Sequence, residues 1–134
     1  MLGEKIGQEK GKVTSRRVLT GGPSQAVVET SFEATGELLG VKIQSLGTYN
    51  SHLRPDGTLF GEGQGVVMGR GSESARWKGQ GIGFPDGKGG FSFRGAIYYE
   101  TQSPGWERLN RCACVYEHQV DSEGNTTSQL FEWR

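Results

Sequence analysis

Apolar and polar residues alternate along most of this chain with a period of two. Between Val41 and Leu53, one face carries Val41, Ile43, Ser45, Gly47 and Tyr49, and the other carries Lys42, Gln44, Leu46, Thr48 and Asn50. Between Phe91 and Thr101, Phe91, Phe93, Gly95, Ile97 and Tyr99 share a face opposite Ser92, Arg94, Ala96, Tyr98 and Glu100. A period of two places one face on a core and the other in water, so these are strands rather than helices. Turn chemistry separates the alternating segments: Thr20–Ser24, Gly36–Gly40, Arg54–Gly57, Gly69–Ser72, Pro85–Gly90 and Asp121–Asn125. The pattern predicts strands over 5–19, 25–35, 41–53, 58–68, 74–84, 91–101, 111–120 and 126–133. Their short connections make sequential neighbours antiparallel partners. The exception is 103–110, where Ser103 suits an N-cap and Pro104 a first helical position, predicting a single helical turn.

A meander of this kind closes most economically on itself, because closure removes the edge strands, and the long connections of a Greek-key sandwich are missing. The expected fold is all-β: a closed antiparallel up-and-down barrel of about eight strands with one short helical turn. It forms one domain over residues 1–134.

Two glycine ladders sharpen this. Gly61, Gly63 and Gly65 alternate in Phe60–Val67, and Gly79, Gly81 and Gly83 repeat the pattern after Trp77. A dinucleotide fingerprint sets its glycines as G-x-G-x-x-G in a turn that opens a helix. Strict alternation instead puts each trio on one face of a strand. There, glycine permits strong coiling and leaves room for rings from across the barrel. Trp77, Phe91, Phe93 and Tyr99 share the glycine parity, so glycines and aromatics are placed inside. Glu62, Gln64, Arg76, Lys78, Gln80, Arg94 and Glu100 are placed outside, with Glu62–Arg76 and Lys78–Glu100 as candidate cross-strand pairs. The same parity sends Val28, Thr30, Phe32, Ala34, Cys112, Cys114, Tyr116, His118, Phe131 and Trp133 inward. The run Cys112–Tyr116 is apolar on both faces, which points to a covered outer surface such as a subunit interface.

Charge narrows the function classes. Fifteen Lys and Arg balance fifteen Asp and Glu, without the basic excess a nucleic-acid binder carries. Lys10, Lys12, Arg16 and Arg17, interleaved with Glu4 and Glu9, read as a solvated strand face. No run nears the roughly 20 apolar residues of a membrane helix, and the first twelve residues lack the apolar core of a signal peptide. A cytoplasmic protein is expected, with Cys112 and Cys114 as free thiols.

Few residues point to chemistry. His118 beside Tyr49 or Tyr99 would make an acid–base site, although a hydrogen-bonded histidine at the barrel rim is the simpler reading. Cys112 and His118 stand roughly 20 Å apart in an extended strand, at about 3.3 Å per residue, so they do not share a metal ion. His52 reads as a surface residue. No nucleophile elbow, calcium loop or phosphate loop is present, and no metal or other cofactor is expected.

The stretch Gly57–Gly65, with Gly79–Gly83 and Arg94-Gly95-Ala96-Ile97-Tyr98-Tyr99, resembles small uncharacterised bacterial proteins with a calycin-like barrel of the allene oxide cyclase type. Val120-Asp121, Gly124-Asn125-Thr126 and Glu132-Trp133 fit the same resemblance. It implies a closed barrel with a central cavity, in a superfamily where some members cyclise hydrophobic substrates. No catalytic residue of that family maps onto this chain. The expectation is therefore a barrel that binds a small apolar or amphipathic molecule. Its candidate lining is Phe32, Tyr49, Trp77, Phe91, Phe93, Tyr99, Tyr116 and His118. The alternatives are a cyclase or isomerase acting on a hydrophobic substrate, and a solid barrel that serves as a structural or interaction module. The partners this reading admits are a small apolar ligand and further copies of the chain.

Overall fold

The computed structural model describes residues 2–19 and 26–133; the loop expected at Thr20–Ser24 lies outside them. Eight strands follow in order: β1 (Leu2–Leu19), β2 (Val27–Leu38), β3 (Val41–Leu53), β4 (Leu59–Gly69), β5 (Ser74–Pro85), β6 (Phe91–Glu100), β7 (Ala113–Val120) and β8 (Asn125–Trp133). Each pairs antiparallel with its sequence neighbour, and β8 returns to β1 to close the barrel. The bounds of β3 are those the alternation predicts. Strand β1 pairs with both β2 and β8 over Gly7–Lys12 and with β2 alone from Val13 onward.

The hairpin β2–β3 departs from the sequence reading. Gly36 belongs to the strand, opposite both Glu9 and Ile43. The turn is two residues, Leu39 and Gly40, both at positive φ, the geometry that matches strand twist in tight hairpins. Counting Gly36 as punctuation confuses a glycine needed for close approach with one needed for a turn.

Three turns at one end of the barrel share a device. Asp56 Oδ1 accepts from Thr58 Oγ1 at 2.6 Å and Thr58 N at 3.0 Å. Asp86 Oδ1 accepts from the Lys88 and Gly90 amides at 2.7 and 3.0 Å. Asp121 Oδ1 accepts from the Glu123 and Asn125 amides at 2.9 and 2.8 Å. Each aspartate captures the amide two residues on, and Asp86 and Asp121 also the one four on, a local substitute for ladder bonds. Hydrogen bonds to the charged form hold all three carboxyls below their usual range, chiefly from the Thr58 hydroxyl, the Lys88 amide and the Asn125 side chain respectively.

The opposite end is plugged. Between β6 and β7 the chain makes a 3-10 turn, Glu107–Arg111, at the place expected but starting later. Ser103 does not cap it: its hydroxyl receives the Ser74 amide at 2.8 Å and donates to the Ser74 carbonyl. Asn110 fixes the segment by accepting from Thr101 N and donating to Thr101 O. Trp106 and Leu109 thereby enter the barrel end and pack fully buried in one cluster with Leu38, Val67, Ile97 and Cys114.

The last strand corrects the predicted facing. Tyr116 lies opposite Leu130 and His118 opposite Ser128, and directly paired residues share a face. Thr126, Ser128 and Leu130 therefore point inward, while Phe131 lies outside opposite Val115, and Trp133 is 58% exposed opposite Ala113. Apolar residues on both faces of β7 and β8 leave the parity undetermined from sequence. The outer ion pairing also differs: Arg76 lies opposite Glu100 and bonds it, Glu62 lies opposite Gln80, and Lys78 opposite Tyr98. No helix among the described residues is long and apolar enough to cross a membrane.

Candidate functional site

The glycine ladders face inward, and each holds a ring. Gly63 lies opposite Gly79 and Gly61 opposite Gly81 across β4 and β5. A Cβ on Gly65 would stand 2.5 Å from the Trp77 indole, one on Gly83 2.6 Å from the Phe93 ring, and one on Gly47 2.7 Å from the Phe32 ring. One on Gly81 would collide with the Tyr116 hydroxyl. Real Cβ atoms do not approach so closely, so the missing side chains are what seat these aromatics.

The rings do not fill the barrel. A cavity of about 70 Å³ remains in its middle, several times the ~10–15 Å³ that one water needs. Of the expected lining, Phe32, Tyr49, Trp77 and Phe93 border it, as do Tyr99, Tyr116 and His118. Phe91 does not: it is half-buried beyond Phe93, with ring centroids 6.4 Å apart. Glu9, Ile97, Ser128 and Leu130 complete the polar and apolar contacts that matter here. The plug closes one end. At the other, Leu53, an inward-facing position on β3, is 64% exposed, and Val28, Leu59 and Phe91 on the same inner face are half-buried.

His118 sits inside the barrel and not at its rim. It is 7% exposed and packed among Phe32, Tyr49 and Phe93, with centroids 5.2, 6.0 and 6.3 Å away. The structure brings it to Tyr49; no ring contact joins it to Tyr99 among the described residues. Its Nδ1 shares a 2.6 Å hydrogen bond with Ser128 Oγ, and its buried Nε2 has no hydrogen-bond partner among the described residues. Burial disfavours the imidazolium and lowers the His118 pKa to about 4, so the ring is neutral at physiological pH.

Glu9 is the residue that the sequence reading misplaced. Rather than joining the solvated face of β1, it lies inside, 9% exposed, where Ser45 Oγ donates to its Oε1 at 2.7 Å. The ion pairs among the described residues, Arg17–Glu29, Arg76–Glu100 and Arg108 with Glu4 and Glu132, do not include it. Burial pushes its carboxyl pKa up, against the lowering by the Ser45 hydrogen bond. Burial likewise raises the Tyr49 phenol, with Thr30 and Arg16 acting against it. The Tyr99 phenol is raised well above its usual value by burial and then by the nearby Glu9 charge. Glu100, on the outer face with Arg76, plays no part.

The cysteines are free thiols, Cys114 buried and Cys112 half-buried. Burial raises the Cys114 thiol to about 12, so it is a packing residue rather than a nucleophile.

No family model and no curated protein matches this sequence. Solved structures do match over nearly the whole chain. A conserved protein of unknown function from Rhodopseudomonas palustris is 13% identical, covering 98% of this chain and 97% of its own, with a TM-score of 0.83. A protein with unknown function from Clostridium acetobutylicum is 15% identical, covers 98% of both chains and also has a TM-score of 0.83. A β-barrel-like protein from Acinetobacter baumannii AYE is 12% identical, covering 100% of this chain and 96% of its own, with a TM-score of 0.80. Likeness at such low identity establishes the shared barrel fold.

Proposed function

We propose that the barrel interior binds one small, largely apolar molecule. The observation that carries this reading is His118, whose buried Nε2 has no hydrogen-bond partner among the described residues, bordering a cavity whose apolar wall is Phe32, Trp77, Phe93, Ile97 and Leu130. Buried polar atoms are normally hydrogen-bonded, and one left without a protein partner beside open space is a place for a ligand's polar group. The apolar wall accepts the rest of the molecule. Arg16, inward-facing by its register opposite Thr30 and close enough for its charge to act on Tyr49, favours ligands whose far end is polar. On this reading the resemblance to allene oxide cyclase-type barrels is a kinship of vessel, extended here to a hydrophobic content.

Small neutral molecules such as phenol, indole and cyclopentanone, at millimolar concentration, are expected to shift the Trp77 indole N–H and His118 ring resonances in NMR spectra. The same molecules should raise the melting temperature by mass action, since they bind only the folded barrel. Unmoved resonances across the set, with no change in melting temperature, would show a barrel whose interior is only structural.

A further inference from the structure

We propose that the cavity is a proton-transfer site for small ketones, with His118 as the base and Glu9 as the acid; this rests on the binding reading above. The register carries the argument. Glu9 lies opposite Ser128, and Ser128 lies opposite His118. The three form one inward row across β1, β8 and β7. With strands about 4.8 Å apart, the Cα atoms of Glu9 and His118 are about 10 Å apart. Their side chains rise from one wall, to either side of Ser128, toward the same cavity. Both residues border the same cavity, and neither is part of an ion pair among the described residues.

Burial leaves His118 neutral and biases Glu9 toward its protonated form. When His118 Nδ1–H donates to Ser128 Oγ, Nε2, which has no hydrogen-bond partner among the described residues, carries the lone pair of a ring that borders the cavity. The Glu9 carboxyl is desolvated, is in no ion pair among the described residues, and its Oε1 accepts from the Ser45 hydroxyl. A buried carboxyl that keeps its proton can donate it to a carbonyl oxygen.

The chemistry balances without a co-reactant. His118 Nε2 takes a proton from the carbon next to the ketone. The broken C–H pair becomes the C=C bond of an enol. The carbonyl π pair accepts the Glu9 proton to form the enol O–H. Reversal returns a proton from the imidazolium to carbon and the hydroxyl proton to Glu9. In a ketone with a neighbouring double bond, return at the more distant carbon would shift that double bond into conjugation.

Cyclopentanone in D2O tests the proposal, because an enolisation in which the proton held by His118 exchanges with solvent before its return replaces an α-proton by deuterium and removes NMR signal. The full chain is expected to accelerate this exchange beyond an equal concentration of imidazole and acetate. General acid and base groups each supply roughly 10²–10⁴-fold, so His118→Gln and Glu9→Gln should each lower the rate about 100-fold or more. Glu9→Gln, which leaves the His118 ring in place, should still bind cyclopentanone by the Trp77 indole N–H shift, so its rate loss reads proton transfer alone. The rate should rise with pH as His118 loses its proton near 4 and fall once Glu9 ionises. A folded protein that binds cyclopentanone without accelerating exchange, or whose acceleration survives both substitutions, overturns the proton-transfer role and leaves the binding reading intact. A protein that neither binds nor exchanges the probe overturns both.

Discussion

Gly95→Ala is expected to lower the free energy of unfolding by about 3 kcal/mol or more, the upper range for forcing an atom into a packed site. A Cβ on Gly95 would overlap the Gln80 carbonyl oxygen and stand 2.5 Å from the Gly81 Cα. These are backbone atoms of the paired strand, so relief requires β5 and β6 to separate where the barrel bends. Gly61→Ala is the control. Its Cβ would meet nothing nearer than the Phe93 ring at 3.4 Å, an ordinary contact, and the change should stay within about 0.5 kcal/mol. Urea unfolding of both variants settles the matter: equal losses at the two positions would mean that close strand approach is not what the glycines provide.

The second large effect is a loss of stability as the pH falls from 6.5 toward 4. In the unfolded chain His118 takes up a proton near its ordinary value of 6.5, while in the folded barrel it does so only near 4. Between these values the unfolded state binds more protons, so acid favours unfolding. Each tenfold difference in proton affinity between the two states is worth about 1.4 kcal/mol, which makes the full loss about 3 kcal/mol. Glu9 acts in the opposite sense. Its folded pKa is raised, so the native state retains a proton that the unfolded chain has released, and stability falls as pH rises above the ordinary 4.5. Unfolding curves at fixed ionic strength should therefore show His118→Gln flattening the acid limb and Glu9→Gln flattening the limb above it. A His118→Gln variant that tracks the parent protein throughout pH 4 to 6.5 would contradict the buried, neutral imidazole.

The barrel was legible because alternation and turn chemistry are local, and β3 carries both without conflict. The facing of β8 was not. Its apolar residues sit on both sides, and only pairing with β7 decides that Ser128 and Leu130 point inward. Glu9 is more instructive. A charge among Lys10, Lys12 and Glu4 looks solvated, yet it shares parity with Gly7 and Gly11. That is the same alternation as the ladder at Gly61, Gly63 and Gly65, so a third glycine ladder on β1 marked the inner face. His118 was placed on the correct face, but its depth in the barrel depends on β7 pairing with β6 and β8, which periodicity does not encode. The cavity itself is a difference between ring volume and glycine space, visible only once both are located.

The pairing of rings with glycines across the wall has an evolutionary corollary. Gly65 with Trp77, Gly83 with Phe93 and Gly81 with Tyr116 each divide one volume between two positions. Neither member can change size alone without a clash or a void. Homologues that keep this barrel should therefore vary at such positions jointly, large for small and small for large. A lineage that shrinks a ring while keeping its glycine would be enlarging the chamber, and those paired columns are where a change of content would first be written.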